Sequence, residues 1–160
     1  MALELRAATE QDIPRLIDLG RAFAQEQNTY WTFNKLGPGW EKFVTEAMHT
    51  AVEHPAARVL LAADGEELVG YVLGQIAEPP PLFEVKPYLF VSDLYVRPEY
   101  RRQGLATRLV ETLRIWASTQ GVWRLSLVIA EGNPAFDLWK RLGFEPMERL
   151  LFWADPEYGQ

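Results

Sequence analysis

Residues 88–109 read YLFVSDLYVRPEYRRQGLATRL, and this stretch decides the fold. Its first part, Tyr88–Val96, is rich in β-branched and aromatic residues and predicts a strand. An arginine-rich loop follows, and apolar residues then recur at helical spacing from Leu105 to about Gln120. A second apolar run at 124–130 predicts another strand. The order strand, helix, strand indicates a parallel pair joined by a helical crossover.

The remainder of the chain alternates predicted strands and helices around this unit. Thr9 or Asp12 is a candidate cap for the first helix, and Asp64-Gly65 is a hairpin signal that requires an antiparallel pair. The other predicted elements are a strand at 3–7, a helix whose apolar residues recur from Ile13 to Ala24, an aromatic loop at 28–39, a helix at 40–53, strands at 58–63 and 67–76, a short helix from Asn133-Pro134 to Leu142, and a strand at 148–154. This mixed order predicts an α/β domain with a central, mostly antiparallel sheet flanked by helices.

Length and composition limit the class of protein. The chain has 160 residues, 48% of them hydrophobic and 24% charged, which predicts a single domain over residues 1–160. It has no cysteine, which excludes a disulfide framework, a thiolate zinc site and a cysteine nucleophile. The only histidines are His49 and His54, so no metal site is predicted. No apolar run resembles a signal peptide or a membrane span, and the expected location is the cytoplasm.

The charge of the chain is unevenly distributed. The net charge is −6, yet residues 97–108 carry four arginines and one glutamate, a local charge of +3. Nucleic-acid recognition requires a broad basic surface, so neither nucleic acid nor membrane is an expected partner. A local cationic segment indicates a small polyanion, and the acidic remainder is compatible with a cationic substrate.

The loop before the third predicted helix has the properties of an anion site. Gly104 and Ala106 lack bulky side chains where the helix begins, and backbone N–H groups there have no partner one turn earlier. The helix dipole and the side chains of Arg101 and Arg102 add positive charge. The loop therefore favours a pyrophosphate group. It lacks the Gly-Lys-Ser/Thr of a Walker loop and the third glycine of a dinucleotide site.

Two motifs in sequence resemble the GNAT superfamily of acetyl-CoA-dependent N-acetyltransferases. The cofactor loop of that family, Arg/Gln-x-x-Gly-x-Gly/Ala, corresponds to Arg101, Gly104 and Ala106. A later family motif is matched by Ala135, Leu138, Gly143 and Phe144. The resemblance covers about residues 88–146 and implies the GNAT fold, in which two parallel strands, here those ending near Val96 and Ala130, splay apart at the cofactor site.

The resemblance implies a set of cofactor-binding residues, with acetyl-CoA as co-substrate. Backbone groups of one strand would pair with the pantetheine arm, amides of the loop would hold the pyrophosphate, and Asn133 would contact the pantetheine. Trp139 replaces the tyrosine that family members place near the thiol. The expected cofactor-binding residues are Leu94, Tyr95, Val96, Arg101, Arg102, Gln103, Gly104, Leu105, Ala106, Thr107, Asn133 and Trp139.

Acetylation of an amine requires the neutral amine, so a base must accept its proton. Polyamine-acetylating relatives have a glutamate where this chain has Ser92, which is not a base. Asp93 is the first candidate, although a regular strand would point it to the opposite face, and Glu131 is the second. Because there is no cysteine, the mechanism expected is direct attack within a ternary complex.

Two aromatic loops are expected to form the acceptor site. Tyr30, Trp31, Phe33 and Phe83 would attract an ammonium group, and Glu84 could bind a cationic substrate. The expected acceptor is a primary amine on a small molecule or peptide, with a protein N-terminus as the second option. The alternative function is an acyl-CoA-binding sensor or partner module with little catalysis. Dimers are common among family members, and a homodimer is left open.

Overall fold

The computed structural model describes residues 3–31, 35–84 and 86–157. The strands are β1 (Leu3–Ala7), β2 (Ala57–Asp64), β3 (Glu67–Ala77), β4 (Tyr88–Val96) and β5 (Leu125–Ser126). The helices are α1 (Ile13–Asn28), α2 (Trp40–Glu53), α3 (Leu105–Thr119) and α4 (Ala135–Arg141), with 3-10 turns at Glu10–Asp12 and Pro98–Tyr100. The predicted order of elements is confirmed as far as α4.

The five described strands form one sheet in the order β1-β2-β3-β4-β5. Neighbouring strands are antiparallel except β4 and β5, which are parallel. The predicted hairpin is present: Asp64 pairs with Glu67 across a turn in which Gly65 has a φ of 61°, a conformation that costs glycine little. The predicted mixed, mostly antiparallel α/β fold is therefore confirmed.

Helices cover both faces of the sheet. On one face α3 buries Leu109 and Leu113 against strand residues such as Val72 and Leu89. On the other face α1 and α2 pack over a second core that includes Leu16, Leu19, Met48, Leu61 and Tyr71. The continuous apolar composition of β2 and β3 follows from this arrangement, because both faces of these strands are buried.

A buried carboxylate fixes the start of α1. The Asp12 carboxylate accepts bonds of 2.7 and 2.8 Å from the Arg6 guanidinium and one of 2.8 Å from the Thr9 N–H. Arg15 adds a fourth contact at 3.0 Å. These bonds, led by that from Arg6, hold the pKa of Asp12 well below its usual range. Asp12 thus ties β1 to the helix that follows it.

A β-bulge divides β4 into two parts. Leu73 of β3 pairs with Asp93, whereas Gly74 pairs with Val91, so Ser92 is the extra residue. The bulge changes the face to which the following side chains point. Asp93 therefore lies on the α1 side of the sheet, although Val91 is part of the core on the α3 side.

Pairing between β4 and β5 ends just before this bulge. Only Leu89 with Leu125 and Phe90 with Ser126 pair, and residues 127–129 then face residues 91–94 across a cleft. The two strands are splayed, as the family resemblance implies. The predicted strand at 124–130 is correspondingly reduced to two residues.

The predicted strand at 148–154 is wrong for the described structure. Residues 145–155 have no regular secondary structure, and Leu150, Leu151 and Trp153 are 90%, 85% and 81% exposed. The apolar composition of the segment is typical of strands, but a strand also requires a hydrogen-bonded neighbour. Composition cannot supply that neighbour.

Within residues 3–31, 35–84 and 86–157, none of the helices combines the length and apolar character needed to span a bilayer.

Candidate active site

A cavity of about 360 Å³ opens where β4 ends and α3 begins. The C-terminal part of α1 and the first turns of α4 close its other sides. The residues that line it are Glu26, Gln27, Tyr30, Leu94–Val96, Tyr100–Arg102, Gly104–Thr107, Asn133–Ala135, Leu138 and Arg141. Its size is within the range of small-molecule sites. Most of the expected cofactor-binding residues therefore meet at one cavity.

The loop before α3 forms a cradle of backbone N–H groups. Arg102 and Gly104 have φ values of 63° and 77°, and Arg102 is the only non-glycine residue with a positive φ in the described chain. Such left-handed residues turn successive N–H groups toward a common point. The first backward helical bond is donated by the Arg108 N–H to the Gly104 carbonyl, so the amides of 105–107 have no partner one turn earlier. A Cβ on Gly104 would meet no atom within 4 Å and would project into open space.

Positive charge at the cavity comes from three arginines. The Arg101 guanidinium is already engaged: its Nε donates to the Val96 carbonyl at 2.7 Å, and its Nη atoms contact Glu26 at 2.9 and 3.0 Å. Arg102 and Arg141, in contrast, have no ion-pair partner in the described part of the chain. Arg101 therefore stabilises the end of β4, whereas the side chains of Arg102 and Arg141 are available to bind an anion.

The end of α1 connects the two sides of the cavity. Glu26 binds Arg101 on the β4 side, and Gln27 accepts a bond of 3.0 Å from the Asn133 amide on the α4 side. Asn133 is 6% exposed, and its carbonyl oxygen accepts the Ala135 N–H at 3.0 Å. The predicted pantetheine ligand Asn133 thus lies at the cavity, where its side chain also accepts the N–H of the first residue of α4.

A smaller cleft of about 60 Å³ adjoins the first cavity. Its walls are the bulged part of β4 and the residues that follow β5. Both cavities are lined by Gln27, Leu94, Asn133 and Ala135. Ser92, Asp93 and Trp139 line only the smaller cleft. The first candidate base is therefore beside the cavity that has the amide cradle.

Asp93 is held by a buried tyrosine. The Tyr71 hydroxyl donates to the Asp93 carboxylate at 2.6 Å, and Tyr71 itself is fully buried. Burial raises the pKa of Asp93, while hydrogen bonds from Tyr71 and Ser92 act in the opposite direction. Burial, followed by the charge of Asp93, also raises the pKa of Tyr71 well above its usual range, which keeps it a donor.

Trp139 has two neighbours. It is 7% exposed, belongs to the core on the α3 side and stacks edge-on against Phe144 with ring centroids 4.9 Å apart. It also lines the smaller cleft, although not the larger cavity. The residue is thus a core aromatic with one side toward the candidate site, and its role toward the cofactor stays a prediction.

The structure does not bring every expected residue to these cavities. Tyr30 lines the larger one, beside the cradle. Neither cavity is lined by Gln103, Glu131, Trp31, Phe83 or Glu84, and all of these are exposed except the half-buried Trp31. Phe33 lies outside the described residues. The acceptor and base roles of this group remain predictions.

Sequence reasoning missed four residues of the site: Glu26, Gln27, Tyr71 and Arg141. Of these four residues, only Tyr71 could have been placed from the sequence, by pairing the residues of β3 with those of β4. Leu73 pairs with Asp93, and Tyr71, two residues earlier, is on the same face of β3. That argument requires the bulge at Ser92, for which the sequence has no signal. The two residues of α1 could not be found, because helix docking brings them to the cavity.

The model of the acetyltransferase (GNAT) family matches residues 21–144. This chain belongs to that family. The match confirms the predicted family. The described structure agrees, because the matched residues contain the cradle, both cavities and the bulged strand.

The curated relatives of this GNAT chain acetylate different amines, according to their names. A thialysine N-ε-acetyltransferase of Caenorhabditis elegans is 33% identical over 100 residues, 59% of this chain and 61% of that protein. An aminoglycoside N(6′)-acetyltransferase type 1 of Acinetobacter baumannii is 33% identical over 70 residues, 43% of this chain and 48% of that protein. The chain thus spans about half to three fifths of these relatives.

Solved structures of similar fold include proteins with bound cofactor. The aminoglycoside N-acetyltransferase AAC(6′)-Iy in complex with CoA has a TM-score of 0.77 at 15% identity, over 97% of this chain and 95% of that one. An acetyltransferase of Clostridium acetobutylicum with acetyl-CoA has a TM-score of 0.78 at 17% identity, over 99% and 100% of the two chains. At these identities the likeness shows the fold of this GNAT chain.

Proposed function

We propose that this chain transfers the acetyl group of acetyl-CoA to a primary amine of a small molecule or peptide, by direct attack while both substrates are bound. One observation carries the proposal: a cavity with an anion cradle shares a wall with a cleft that contains a partly enclosed carboxylate. Asn133 and Leu94 belong to that shared wall. This adjacency supports direct attack, which requires two neighbouring binding sites.

The larger cavity suits acetyl-CoA, which supplies the thioester acetyl group. The amides of 102–107 and the cations of Arg102 and Arg141 would hold the pyrophosphate. Beyond Phe90 the edge of β4 that faces β5 pairs with no strand in the described chain, and Leu94 and Tyr95 line the cavity beside Val96, whose carbonyl already accepts the Arg101 Nε–H. A pantetheine arm with its two amides would pair with this edge as an added strand. Structural neighbours that hold CoA or acetyl-CoA support this donor.

Asp93 accepts the proton of the attacking amine. An alkyl amine with a pKa of about 10.4 is almost fully protonated near neutral pH. The burial that raises the pKa of Asp93 strengthens it as a base and brings it closer to the pH at which it works. Tyr71 positions the carboxylate by donating to one of its oxygens, and Ser92 contributes a second hydrogen bond.

The leaving thiolate needs little assistance from this chain. A thiol with a pKa near 8.5 leaves readily at neutral pH. The indole N–H of Trp139 cannot deliver a proton to it, but it can pack beside it or donate a hydrogen bond. With no cysteine in the sequence, a cysteine-linked acetyl intermediate is excluded.

Small cationic amines are the favoured acceptors. The net charge of −6 attracts them, and Asp93 presents a carboxylate at the cleft. Relatives named for aminoglycosides and thialysine support this class. A protein N-terminus is the second option.

The experiment measures free thiol released from acetyl-CoA with a panel of aminoglycosides, thialysine, polyamines and a peptide. Turnover of at least one cationic amine is expected. Asp93→Asn should abolish most of it. Glu131→Gln, at the exposed second candidate base, should leave it intact if Asp93 is the base. Acetyl-CoA binding is measured separately by thermal shift. Binding without turnover of any amine would favour the acyl-CoA-binding module instead.

A further inference from the structure

Asn133 lies where the acetyl donor has to cross from one cavity to the other. The cradle amides of 105–107 line only the larger cavity, and Asp93 lines only the smaller cleft. In the proposed function the pyrophosphate binds at the cradle and the acetyl group is attacked beside Asp93, so the pantetheine arm between them passes the shared wall. Asn133 belongs to that wall and is almost fully buried. Its orientation therefore determines which group the arm meets there.

One hydrogen bond fixes the direction of the Asn133 amide. Its side-chain oxygen accepts the Ala135 N–H at 3.0 Å, at the start of α4. A side-chain amide nitrogen cannot accept such a bond, so the nitrogen of Asn133 lies on the side away from Ala135. This nitrogen carries two N–H groups, and within the described residues only one of them has a partner. The other is the donor left for a carbonyl of the pantetheine arm.

Gln27 is the partner of the first N–H. Its side-chain oxygen accepts a bond of 3.0 Å from the Asn133 nitrogen, although the two residues are 106 positions apart in sequence. Gln27 also lines both cavities, so the bond is part of their shared wall. Because the amide group is planar, the bond to Gln27 also sets the direction of the remaining N–H.

The helix that carries Gln27 is firmly packed. Leu16 and Leu19 of α1 are fully buried in the core. Phe23, which is one turn before Gln27 on the same helix face, lies edge-on to Tyr71 with ring centroids 6.3 Å apart. Tyr71 in turn donates to Asp93. The same helix face thus contacts the support of the carboxylate and, through Gln27, the side chain of Asn133.

We propose that Gln27 is a positioning residue for acetyl transfer: it directs the free N–H of Asn133 onto the pantetheine arm and so holds the thioester beside Asp93. The inference rests on the proposed function, and it gives Gln27 no contact with the reacting atoms. Loss of the Gln27 oxygen removes the bond that orients the Asn133 nitrogen. The expected effect is that of one ordinary hydrogen bond, about fivefold in affinity for acetyl-CoA.

Isothermal titration calorimetry with two probes tests this role. Acetyl-CoA contains the pantetheine arm, whereas adenosine 3′-phosphate 5′-diphosphate has the pyrophosphate without the arm. Gln27→Leu should weaken acetyl-CoA about fivefold and leave the affinity for the nucleotide unchanged. The matched control is Gln25→Leu, at an exposed position of α1 that lines neither cavity, and it should bind both probes like wild type. Equal weakening of both probes by Gln27→Leu, or no weakening of either, would overturn the inference.

Two further variants test whether Gln27 acts through Asn133. Gln27→Glu keeps an acceptor oxygen at the same reach and should keep the wild-type ratio of the two dissociation constants, because the added charge acts on both probes. In an Asn133→Ala background, Gln27→Leu should cause no further loss of acetyl-CoA affinity. Losses that add in the double variant contradict the role of Asn133.

The unchanged chain separates this inference from the proposed function. If it binds acetyl-CoA no more tightly than the nucleotide, the pantetheine arm is not held at this wall and the inference fails. If it binds acetyl-CoA more tightly but turns over no amine, the proposed function fails alone, since both dissociation constants are measured without an acceptor.

Discussion

Gly104 offers the sharpest test of the anion cradle. Its φ of 77° is in the left-handed region, which costs a residue with a Cβ roughly 1–2 kcal/mol. The space around the position is open, and a Cβ there would meet no atom of the protein within 4 Å. Its side chain would instead occupy the mouth of the cradle, where an anion would approach the amides of 105–107.

Gly121, just beyond the other end of α3, is a matched control. It follows α3, has a φ of 73°, and a Cβ there also meets no atom within 4 Å. It does not line the cavity. Gly121→Val should therefore carry a similar backbone strain and a similar loss of unfolding free energy. Any difference in acetyl-CoA binding between Gly104→Val and Gly121→Val then measures the contribution of the cradle to binding.

The expected loss of affinity follows from the donors that are blocked. A hydrogen bond to a charged group contributes about 1.5–3 kcal/mol, so the loss of two amide donors to a pyrophosphate weakens binding roughly 100-fold or more. At a concentration 100 times the wild-type dissociation constant, acetyl-CoA stabilises the fold by about 2.7 kcal/mol. After a 100-fold loss the same concentration adds only about 0.4 kcal/mol.

Thermal unfolding with and without acetyl-CoA measures this difference. Wild type and Gly121→Val should show a clear rise in melting temperature, and Gly104→Val almost none. Dephosphorylated pantetheine should shift wild type less than acetyl-CoA does. If Gly104→Val is stabilised as strongly as Gly121→Val, the pyrophosphate does not bind at this loop.

Three further substitutions test titration and the leaving group. Asp93→Asn should lower the rate more than tenfold at pH 7 and less at pH 9, where more amine is neutral; an unchanged pH–rate profile would remove Asp93 as the base. Folding raises the pKa of Asp93, so the free energy of unfolding of the wild type should fall as pH rises from about 4 through the folded pKa. Chemical denaturation at a series of pH values should show no such fall in Asp93→Asn. Asp12→Asn should cost about 2–3 kcal/mol at neutral pH, because the Arg6 and Thr9 bonds are lost. Since folding lowers the pKa of Asp12, the difference in unfolding free energy between wild type and Asp12→Asn should shrink as pH falls below about 4. If denaturation experiments show the same difference at every pH, the destabilisation comes from packing and not from the charge of Asp12. Trp139→Tyr should change the maximal rate less than tenfold with a suitable acceptor, because the thiolate leaves readily near neutral pH; a large gain would show that the site needs a side-chain acid.

Local chemistry determined much of this fold in advance. The Asp64-Gly65 turn, the helical spacing from Leu105 and the composition of Tyr88–Val96 depend on near neighbours in sequence. The same is true of the cradle, because glycine and an uncapped helix start are sequence-local properties. These features were therefore predictable, and the structure confirms the turn, the strand and the helix that follows the loop.

Tertiary structure decided the chemistry of the smaller cleft. A regular strand would direct Asp93 to the α3 side, and the bulge at Ser92 turns it toward Tyr71. The raised pKa of Asp93 depends on burial by elements distant in the chain. A sequence indicates where a carboxylate is, but its proton affinity depends on neighbours that only folding provides.

The C-terminal segment has a local signal for a strand that the described structure does not realise. Residues 148–154 have the composition of a strand, and this property is local. Whether they form one depends on a hydrogen-bonding edge, which belongs to another part of the sheet or to another molecule. In the described chain the edge of β5 stays open and Leu150 is 90% exposed, because strand pairing is a contact between distant segments and composition does not specify the partner.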